Sequence, residues 1–303
     1  MKTALLICMS AIAFAQTPPQ WPDPAHHKVL FVTVDQGVKL EVLDWGGTGR
    51  PIVLLAGFGN TAHVFDVFGE ELSRSGHVYG ITRRGFGASS QPDDGYSDQR
   101  RADDDLHVLD SLKITRPVLV GHSVAGAELT TLGGQHSDRL AALVYLDALG
   151  DPTEDSPEID ALVRSLPALA THNAGPFSTP VDRFPPAELH QPHPLIGIGD
   201  AIHAGARKRD YTQIRVPILA FTTSLPPIES QIREYHFTKA SDLAVFAKLY
   251  AADARIRALR IRNIQSAPGG TRIVTMPGAN HYLFITNESE VLREMNAFLK
   301  SLN

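Results

Sequence analysis

The sequence predicts an α/β fold, a mostly parallel sheet wound on both faces by helices, with an irregular helical insertion over one edge. Two fully apolar runs, residues 51–56 and 118–121, are typical of strands buried on both faces. Helical periodicity recurs between such runs, and alternating strands and helices form parallel sheets. The stretch 151–213 is instead rich in proline and histidine, with only short helical patterns. We expect it to be a lid inserted into a core formed by residues 28–150 and 214–303.

The elements can be followed in order from an N-terminal hairpin. Val29–Val34 and Lys39–Trp45 alternate apolar and polar residues on either side of the turn signal Asp35-Gln36-Gly37. This pattern predicts an antiparallel opening to the sheet. The pattern then predicts further strands at 51–56, 77–81, 118–121, 141–146, 216–223 and 272–276, and helices at 65–73, 97–112, 127–136, 241–265 and 288–302.

The first fifteen residues resemble a secretory signal peptide, although a buried first helix is the alternative. Lys2 supplies a positive start, residues 4–14 are apolar but too few to span a bilayer, and Ala13-Phe14-Ala15 fits a cleavage site after Ala15. A Pro-rich segment, 16–27, follows. We therefore expect a secreted or periplasmic protein. The single cysteine, Cys8, lies in this signal, so the mature chain would have no thiol for a disulfide or a nucleophile.

Composition excludes several classes of partner. The net charge of −5 gives no basic stripe for nucleic acid, and no apolar run after residue 15 is long enough to cross a membrane. Among the 13 histidines, His190, His193 and His203 stand between prolines without i, i+4 spacing, so we expect no metal site. The length allows one large domain. We expect a small-molecule substrate and no cofactor, and the oligomeric state is open.

One short segment carries the clearest chemical signal. In Gly121-His122-Ser123-Val124-Ala125-Gly126, a β-branched run ends in glycine and small residues lead into a helical pattern. This predicts a strand, a sharp turn and a helix, with the Ser123 hydroxyl exposed at a strained apex. Ala125 stands in the last position of the pattern G-x-S-x-G and keeps the requirement for a small residue. The alternative is a serine that caps the helix.

Two further loops lie where acyl transfer at Ser123 would need them. The segment 56–60 follows a buried strand, and its glycines would let the Phe58 amide join the Val124 amide as an oxyanion hole. A plain glycine turn is the alternative. His281 stands between the last predicted strand and the last helix. From there it could reach a serine at the carboxyl edge and act as general base.

Four segments in a fixed order carry a family resemblance: Ala56-Gly57-Phe58-Gly59, Arg84-Gly85-Phe86-Gly87-Ala88-Ser89, Gly121-His122-Ser123-Val124-Ala125-Gly126 and Gly278-Ala279-Asn280-His281-Tyr282-Leu283-Phe284. Over residues 28 to 303 the chain resembles the α/β-hydrolase fold superfamily, of the serine esterase type with a lid. The resemblance implies Ser123 as nucleophile, His281 as base and the same two amides as oxyanion donors. The sequence departs from the family pattern at two positions. Ala56 stands where a histidine is usual, and Thr82 stands where an aspartate is usual.

Catalysis by a serine and a histidine usually needs an acid that orients the histidine, and this chain has no aspartate at the most common position of that acid in the superfamily. There it usually follows the next-to-last strand, but residues 221–229 contain no aspartate. Part of the superfamily uses the end of the strand after the nucleophile helix, where this chain has Asp147. We expect Asp147 to orient His281. Glu229, Asp151 and a dyad without an acid remain open, and the alternative role for Asp147 is a turn cap.

The expected activity is that of an exported serine hydrolase, cleaving carboxylic esters of small to medium apolar substrates through an acyl-enzyme. Lactonase, proline-iminopeptidase-like amidase or peptidase, and cofactor-free haloperoxidase activities remain open, as does a ligand-binding role without catalysis. A serine at this turn argues against haloalkane dehalogenase and epoxide hydrolase, which in this superfamily use an aspartate. Phe177, Phe184, Leu195 and Ile196 are expected to line an apolar pocket from the lid.

Two other charged residues have expected structural roles. Arg84 is expected to donate hydrogen bonds to loop carbonyls. Glu128, close after Ser123, is expected on the helix surface or beside a cation. An amine-binding lid would need acidic residues, for which Asp155, Glu158 and Asp160 are the candidates.

Overall fold

The computed structural model describes residues 24–154, 157–166, 168–169 and 180–302. The expected signal peptide, 1–15, and most of the Pro-rich segment lie outside them. The strands are β1 Lys28–Asp35, β2 Val38–Gly46, β3 Pro51–Leu55, β4 His77–Thr82, β5 Val118–His122, β6 Ala142–Leu146, β7 Ile218–Thr223 and β8 Thr271–Met276. The helices are α1 Asp66–Leu72, α2 Asp98–Ser111, α3 Gly126–Gln135, α4 Pro157–Arg164, α5 Pro186–Leu189, α6 Ile198–Ala204, α7 Ile228–Glu234, α8 Ala240–Ile264, α9 Leu283–Thr286 and α10 Glu288–Ser301.

The strands form one eight-stranded sheet in the order β1-β2-β4-β3-β5-β6-β7-β8. The β2 strand runs antiparallel to β1 and β4, and all pairs from β4 to β8 are parallel. The predicted hairpin and parallel core are therefore confirmed. The strand predicted from Val216 begins only at Ile218, because Pro217 lacks the N–H that a ladder requires.

Helices cover both faces of the sheet, which explains the apolar runs. Leu119 of β5 belongs to one core, together with Leu129 of α3 and Ile264 of α8. Its neighbour Val120 belongs to the opposite core, with Phe68 of α1. Successive side chains of a strand point to opposite faces, so a strand between two helical layers must be apolar throughout.

The insertion 151–213 contributes α4, α5 and α6 in its described parts. Its assignment as a lid, and the domain boundaries predicted around it, remain predictions. Outside it, α7 was not predicted; it begins directly after Pro226-Pro227, where proline fits the start of a helix. No helix in the described ranges combines the length and the apolar character needed to cross a bilayer.

Candidate active site

Ser123 occupies the sharp turn that the sequence predicted. It directly follows β5, begins a short 3-10 helix, Ser123–Ala125, and has a left-handed φ of +54°. Such a backbone is strained for a non-glycine residue. A Cβ at Gly121 would lie 2.9 Å from the Leu129 side chain, and one at Gly126 would lie 2.0 Å from the Ala148 carbonyl oxygen. Small residues are therefore required where the strand meets the helix.

Asp147 and His281 form a direct hydrogen bond. His281 Nδ1 lies 2.7 Å from Asp147 Oδ2, although the two residues are far apart in sequence. The other carboxylate oxygen of Asp147 accepts from the backbone N–H of Thr223, at 3.1 Å. A carboxylate in this position fixes the orientation of an imidazole and stabilises its protonated form.

The charge state of Asp147 suits that arrangement. Burial opposes its ionisation, but the hydrogen bond and charge of His281, the Thr223 amide and the nearby Arg257 guanidinium together lower the pKa of Asp147 below its usual value. The carboxylate is therefore ionised at neutral pH.

The two alternative acids have other surroundings. Glu229 is exposed on α7. Asp151 accepts hydrogen bonds from the backbone N–H groups of Thr153 and Arg209, at 2.9 Å each. Asp147 is the carboxylate that the described hydrogen bonds bring to His281.

His122 holds the loop that carries His281. The carbonyl oxygen of His281 can only accept, so His122 Nε2, 3.1 Å away, donates to it. The two rings lie 4.6 Å apart between centroids. Burial, reinforced by the nearby His281 ring, lowers the pKa of His122 well below its usual value, so the buried ring is neutral. No sequence pattern indicated this contact, which joins the strand before Ser123 to the far end of the chain.

The expected oxyanion loop lies directly against the Ser123 turn. A Cβ at Gly57 would lie 2.6 Å from His122 Nδ1 and 3.3 Å from the Ser123 Cβ, so only glycine allows this approach. Phe58 is half-exposed, and its ring meets Phe86 edge-on at 5.7 Å. The Val124 amide lies in the first turn of the 3-10 helix, where N–H groups have no partner within the helix.

Arg83 fastens the expected oxyanion loop, residues 56–60, to α3. This residue was not singled out from the sequence. Its Nη1 donates to the Gly57 carbonyl at 2.9 Å, its Nη2 donates to the Ala56 carbonyl at 2.6 Å, and its Nε donates to Glu128 at 3.1 Å. Glu128 is buried rather than on the helix surface, and it lies beside a cation, which was the other expectation. Burial raises the pKa of Glu128, but Arg83 and Arg101 outweigh it and lower that pKa. The buried carboxylate therefore stays charged.

Arg84 differs from the expectation that it binds mainly loop carbonyls. Its Nε and Nη2 donate to the two carboxylate oxygens of Asp104, at 2.6 and 2.8 Å, and the only loop carbonyl among its described partners is that of Asp94, at 3.4 Å. The planar guanidinium matches a carboxylate, which is a stronger partner than a neutral carbonyl. Arg84 therefore attaches its loop to α2.

The insertion and the loop that carries His281 also hold the expected oxyanion loop. Glu188 of α5 accepts from the Asn60 side-chain amide at 2.9 Å and from the Thr61 backbone N–H at 3.0 Å. The Tyr282 hydroxyl donates to the Asn60 side-chain oxygen at 3.1 Å. Tyr282, next to His281, and Glu188 of the insertion therefore both bind Asn60.

Ser123, Asp147 and His281 line one cavity of about 480 Å³. The predicted apolar lining from the insertion is wrong in part. Leu195 is 53% exposed and Ile196 is fully exposed. Phe184 packs on Tyr282 at 5.1 Å between ring centroids, and Phe177 lies outside the described residues. The described lining mixes apolar side chains with charged ones: Val124, Ala127, Leu149, Ile202, Ala206, Asp98, Asp151, His203, Arg209, Arg257 and Arg260.

A metal-like grouping occurs elsewhere, at His27, His63 and Asp66, whose potential ligand atoms all lie within 4.8 Å of one another. Both histidine rings face the Asp66 carboxylate. The Nδ1 atoms of His27 and His63 lie 3.2 and 3.3 Å from the Asp66 oxygens.

Comparison with known proteins places the chain among enzymes of this architecture. A family model described as "Alpha/beta hydrolase family" matches residues 52–294. Epoxide hydrolase A of Mycobacterium tuberculosis is 33% identical over 129 residues, which cover 41% of this chain and 40% of that protein. A non-heme chloroperoxidase of Burkholderia pyrrocinia is 30% identical over 136 residues, which cover 42% and 49%. The chain thus spans less than half the length of these curated relatives.

Solved structures are similar over most of the chain. A bromoperoxidase from Bacillus anthracis has a TM-score of 0.65 at 21% identity and covers 90% of this chain and 100% of its own. Est816, an N-acyl homoserine lactone degrading enzyme, has a TM-score of 0.62 at 23% identity, covering 89% and 100%. At these identities the similarity shows the fold alone.

Proposed function

The chain belongs to the alpha/beta hydrolase family, and from this premise we propose that it is a serine hydrolase cleaving carboxylic esters through an acyl-enzyme. The observation that carries the proposal is the 2.7 Å hydrogen bond between His281 and Asp147, in a cavity that Ser123 also lines. A strained serine, an imidazole and an ionised carboxylate at one edge of a sheet are the groups that acyl transfer requires.

In the proposed acylation step, the Ser123 hydroxyl oxygen attacks the ester carbonyl carbon. His281 takes the hydroxyl proton through Nε2, and Asp147 stabilises the resulting imidazolium through Nδ1. The carbonyl oxygen becomes an oxyanion that accepts hydrogen bonds from the Phe58 and Val124 amides. One such donor is worth about 10²- to 10³-fold in kcat. His281 then donates its proton to the leaving alkoxide, and the alcohol departs.

Deacylation repeats these steps with water as the nucleophile. His281 removes a proton from the water as it attacks the acyl carbon, and the same two amides hold the second oxyanion. Collapse of this intermediate returns the proton to the Ser123 oxygen and releases the carboxylic acid. Each group ends in its starting protonation state, so the cycle needs no cofactor.

Lactone opening is the nearest alternative activity, because a lactone is a cyclic ester and follows the same steps. The structurally similar Est816 degrades an N-acyl homoserine lactone, which makes this alternative worth testing on the same enzyme. Epoxide hydrolysis is not proposed despite the 33% identical relative, because enzymes of this fold with that activity use an aspartate where this chain has Ser123.

Export forms part of the proposal. Residues 1–15 carry the charge, apolar stretch and small-residue site of a signal peptide. N-terminal sequencing of the mature protein, expressed with its complete chain, should begin at Gln16. Retention of Met1 would contradict this part of the proposal.

A fluorophosphonate probe tests the nucleophile. We expect it to label the wild-type protein covalently, to label Ser165→Ala equally, and to leave Ser123→Ala unlabelled. Ser165 is a suitable control because it is exposed and its hydroxyl donates to the nearby Leu162 carbonyl. The wild type and Ser165→Ala should also turn over 4-nitrophenyl butyrate, and Ser123→Ala should not. A wild-type protein that is neither labelled nor active on any ester would instead be a ligand-binding member of the fold.

A further inference from the structure

The cavity beside Ser123 carries three arginines that take no direct part in the proposed proton transfers. Arg257 and Arg260 lie one turn apart on α8, and Arg209 follows α6 in the insertion. All three side chains line the cavity that contains Ser123 and His281. Arginines at the boundary of an ester-binding cavity require an explanation, because a neutral substrate gains little from them.

Several N–H groups of these arginines are unused in the described structure. Arg260 donates through Nε to Glu154 at 2.8 Å, and no described contact engages its Nη1 or Nη2. Arg257 donates through Nε to Asp253 and through Nη1 to Thr223, which leaves its Nη2. The Nε of Arg209 is buried and has no partner among the described residues. These N–H groups are available to a further acceptor.

The carboxylates of the same cavity are, in contrast, already satisfied. Both oxygens of Asp98 accept hydrogen bonds, from Arg101 and from the Arg207 amide. Both oxygens of Asp151 accept from backbone N–H groups. Asp147 is engaged by His281 and Thr223. The unused hydrogen-bonding capacity in the cavity is therefore mostly that of cationic donors.

One guanidinium borders the loop that follows Asp147. A Cβ placed on Gly150 would lie 3.9 Å from Arg260 Nη1, in ordinary contact. The cavity volume of about 480 Å³ suits a short-chain ester.

We propose that the substrate is an ester whose acyl part carries a second, free carboxylate, and that Arg257 and Arg260 bind this carboxylate. This inference rests on the proposed function and names the substrate class of the same site. The planar, forked guanidinium matches the geometry of a carboxylate, and such charge-assisted bonds are the strong ones. The bound carboxylate would accept hydrogen bonds from the Nη groups of Arg260 and from Nη2 of Arg257, for which no partner is described.

Two esters with the same leaving group test this directly. Mono-4-nitrophenyl glutarate carries the free carboxylate, and 4-nitrophenyl valerate has a neutral chain of the same length. We expect the wild-type kcat/KM to be at least roughly tenfold higher for the glutarate, because only its carboxylate forms charge-assisted hydrogen bonds with the guanidinium groups. In Arg260→Gln this preference should fall at least roughly tenfold, because kcat/KM falls more for the glutarate than for the valerate.

Glu154→Gln is the matched control, since it removes the same ion pair but keeps the guanidinium. It should retain the wild-type preference. An equal loss in Arg260→Gln and Glu154→Gln would overturn the inference, and so would equal turnover of both esters by the wild type. These outcomes leave the serine hydrolase proposal intact, because that proposal fails only if the wild type turns over neither ester and Ser123 is not labelled.

Discussion

Ser123 and Asp147 occupy equivalent positions on neighbouring strands, and both have left-handed backbones. The parallel pair β5 and β6 ends at His122 opposite Leu146, and the next residue on each strand is Ser123 or Asp147. Their φ angles are +54° and +46°. Each such residue costs on the order of 1–3 kcal/mol, and this strain persists only where the surrounding structure imposes it. The same backbone device thus turns both side chains out at one edge of the sheet.

Replacing Asp147 by asparagine should lower kcat strongly. The amide cannot stabilise the His281 imidazolium, and its NH₂ group favours the wrong tautomer of the ring. We expect kcat on 4-nitrophenyl butyrate to fall by about 10³- to 10⁴-fold, with a smaller change in KM. Glu229→Gln, which alters the exposed alternative acid on α7, should stay close to wild type. If kcat for Asp147→Asn stays near the wild-type value, Asp147 is not the residue that orients His281.

Arg83→Lys should slow the reaction without abolishing substrate binding. Lysine keeps the charge beside Glu128, but it cannot donate at once to Glu128 and to the Ala56 and Gly57 carbonyls that Arg83 holds. The Phe58 amide would shift from its proposed position in the oxyanion hole, and small displacements of catalytic groups cost up to about 10²-fold. We expect kcat to fall by about 10- to 100-fold with KM changed little.

Arg84→Lys is the control for Arg83→Lys. It also weakens a buried arginine–carboxylate pair, but that pair joins the following loop to Asp104 of α2. Thermal unfolding of both variants would measure the structural damage separately. If Arg84→Lys lowers kcat as much as Arg83→Lys, the loss comes from general destabilisation and the positioning role of Arg83 is wrong.

The fold could be predicted from the sequence because a strand that is buried on both faces consists of apolar residues. The strand at 118–122 is apolar because both of its faces meet a helical layer. The positions of Ser123 and Asp147 could be predicted for a related reason: both follow such strands, and the ends of parallel strands meet at one edge.

The contacts that support the site could not be predicted. Arg83 reaches the Gly57 carbonyl 26 residues away, and Thr223 reaches Asp147 across 76 residues. No local pattern records such pairings. The lining from the insertion failed for a different reason. Leu195 and Ile196 are apolar, but single exposed apolar residues are common on protein surfaces, and composition does not tell which side a loop residue faces.

Gly126→Ala should destabilise the protein. A Cβ at this position would lie 2.0 Å from the Ala148 carbonyl oxygen and 2.3 Å from Arg209 Nη1. The main chain of Ala148 cannot move away without displacing the adjacent Asp147. We expect a loss of about 1–3 kcal/mol in the free energy of unfolding, measured with urea.

Gly134→Ala, in the same helix, is the matched control. There a Cβ would meet only the Gln213 side chain, at an ordinary 3.8 Å. Alanine is favoured over glycine within a helix, so we expect this variant to gain about 0.5–1 kcal/mol. Equal effects of the two substitutions would show that close approach at Gly126 does not limit stability.

The unfolding free energy should decrease with rising pH because of His63, whose ring lies 3.3 Å from Asp66 and 3.5 Å from Glu41. Burial alone would lower the pKa of His63, but the hydrogen bonds and charges of the two carboxylates raise it from 6.5 to about 10. The folded state therefore keeps a proton that the unfolded state has released. This stabilisation is complete below pH 6.5 and is lost as the pH rises through about 10.

Urea unfolding at pH 7, 8 and 9 would measure this slope. One extra proton in the folded state corresponds to at most about 1.4 kcal/mol per pH unit. His63→Gln should show a shallower decrease with pH than the wild type, because glutamine does not titrate. His107→Gln, which replaces an exposed histidine, should keep the wild-type slope. Identical slopes for His63→Gln and the wild type would mean that the ion pairs to Asp66 and Glu41 do not hold a proton in this range.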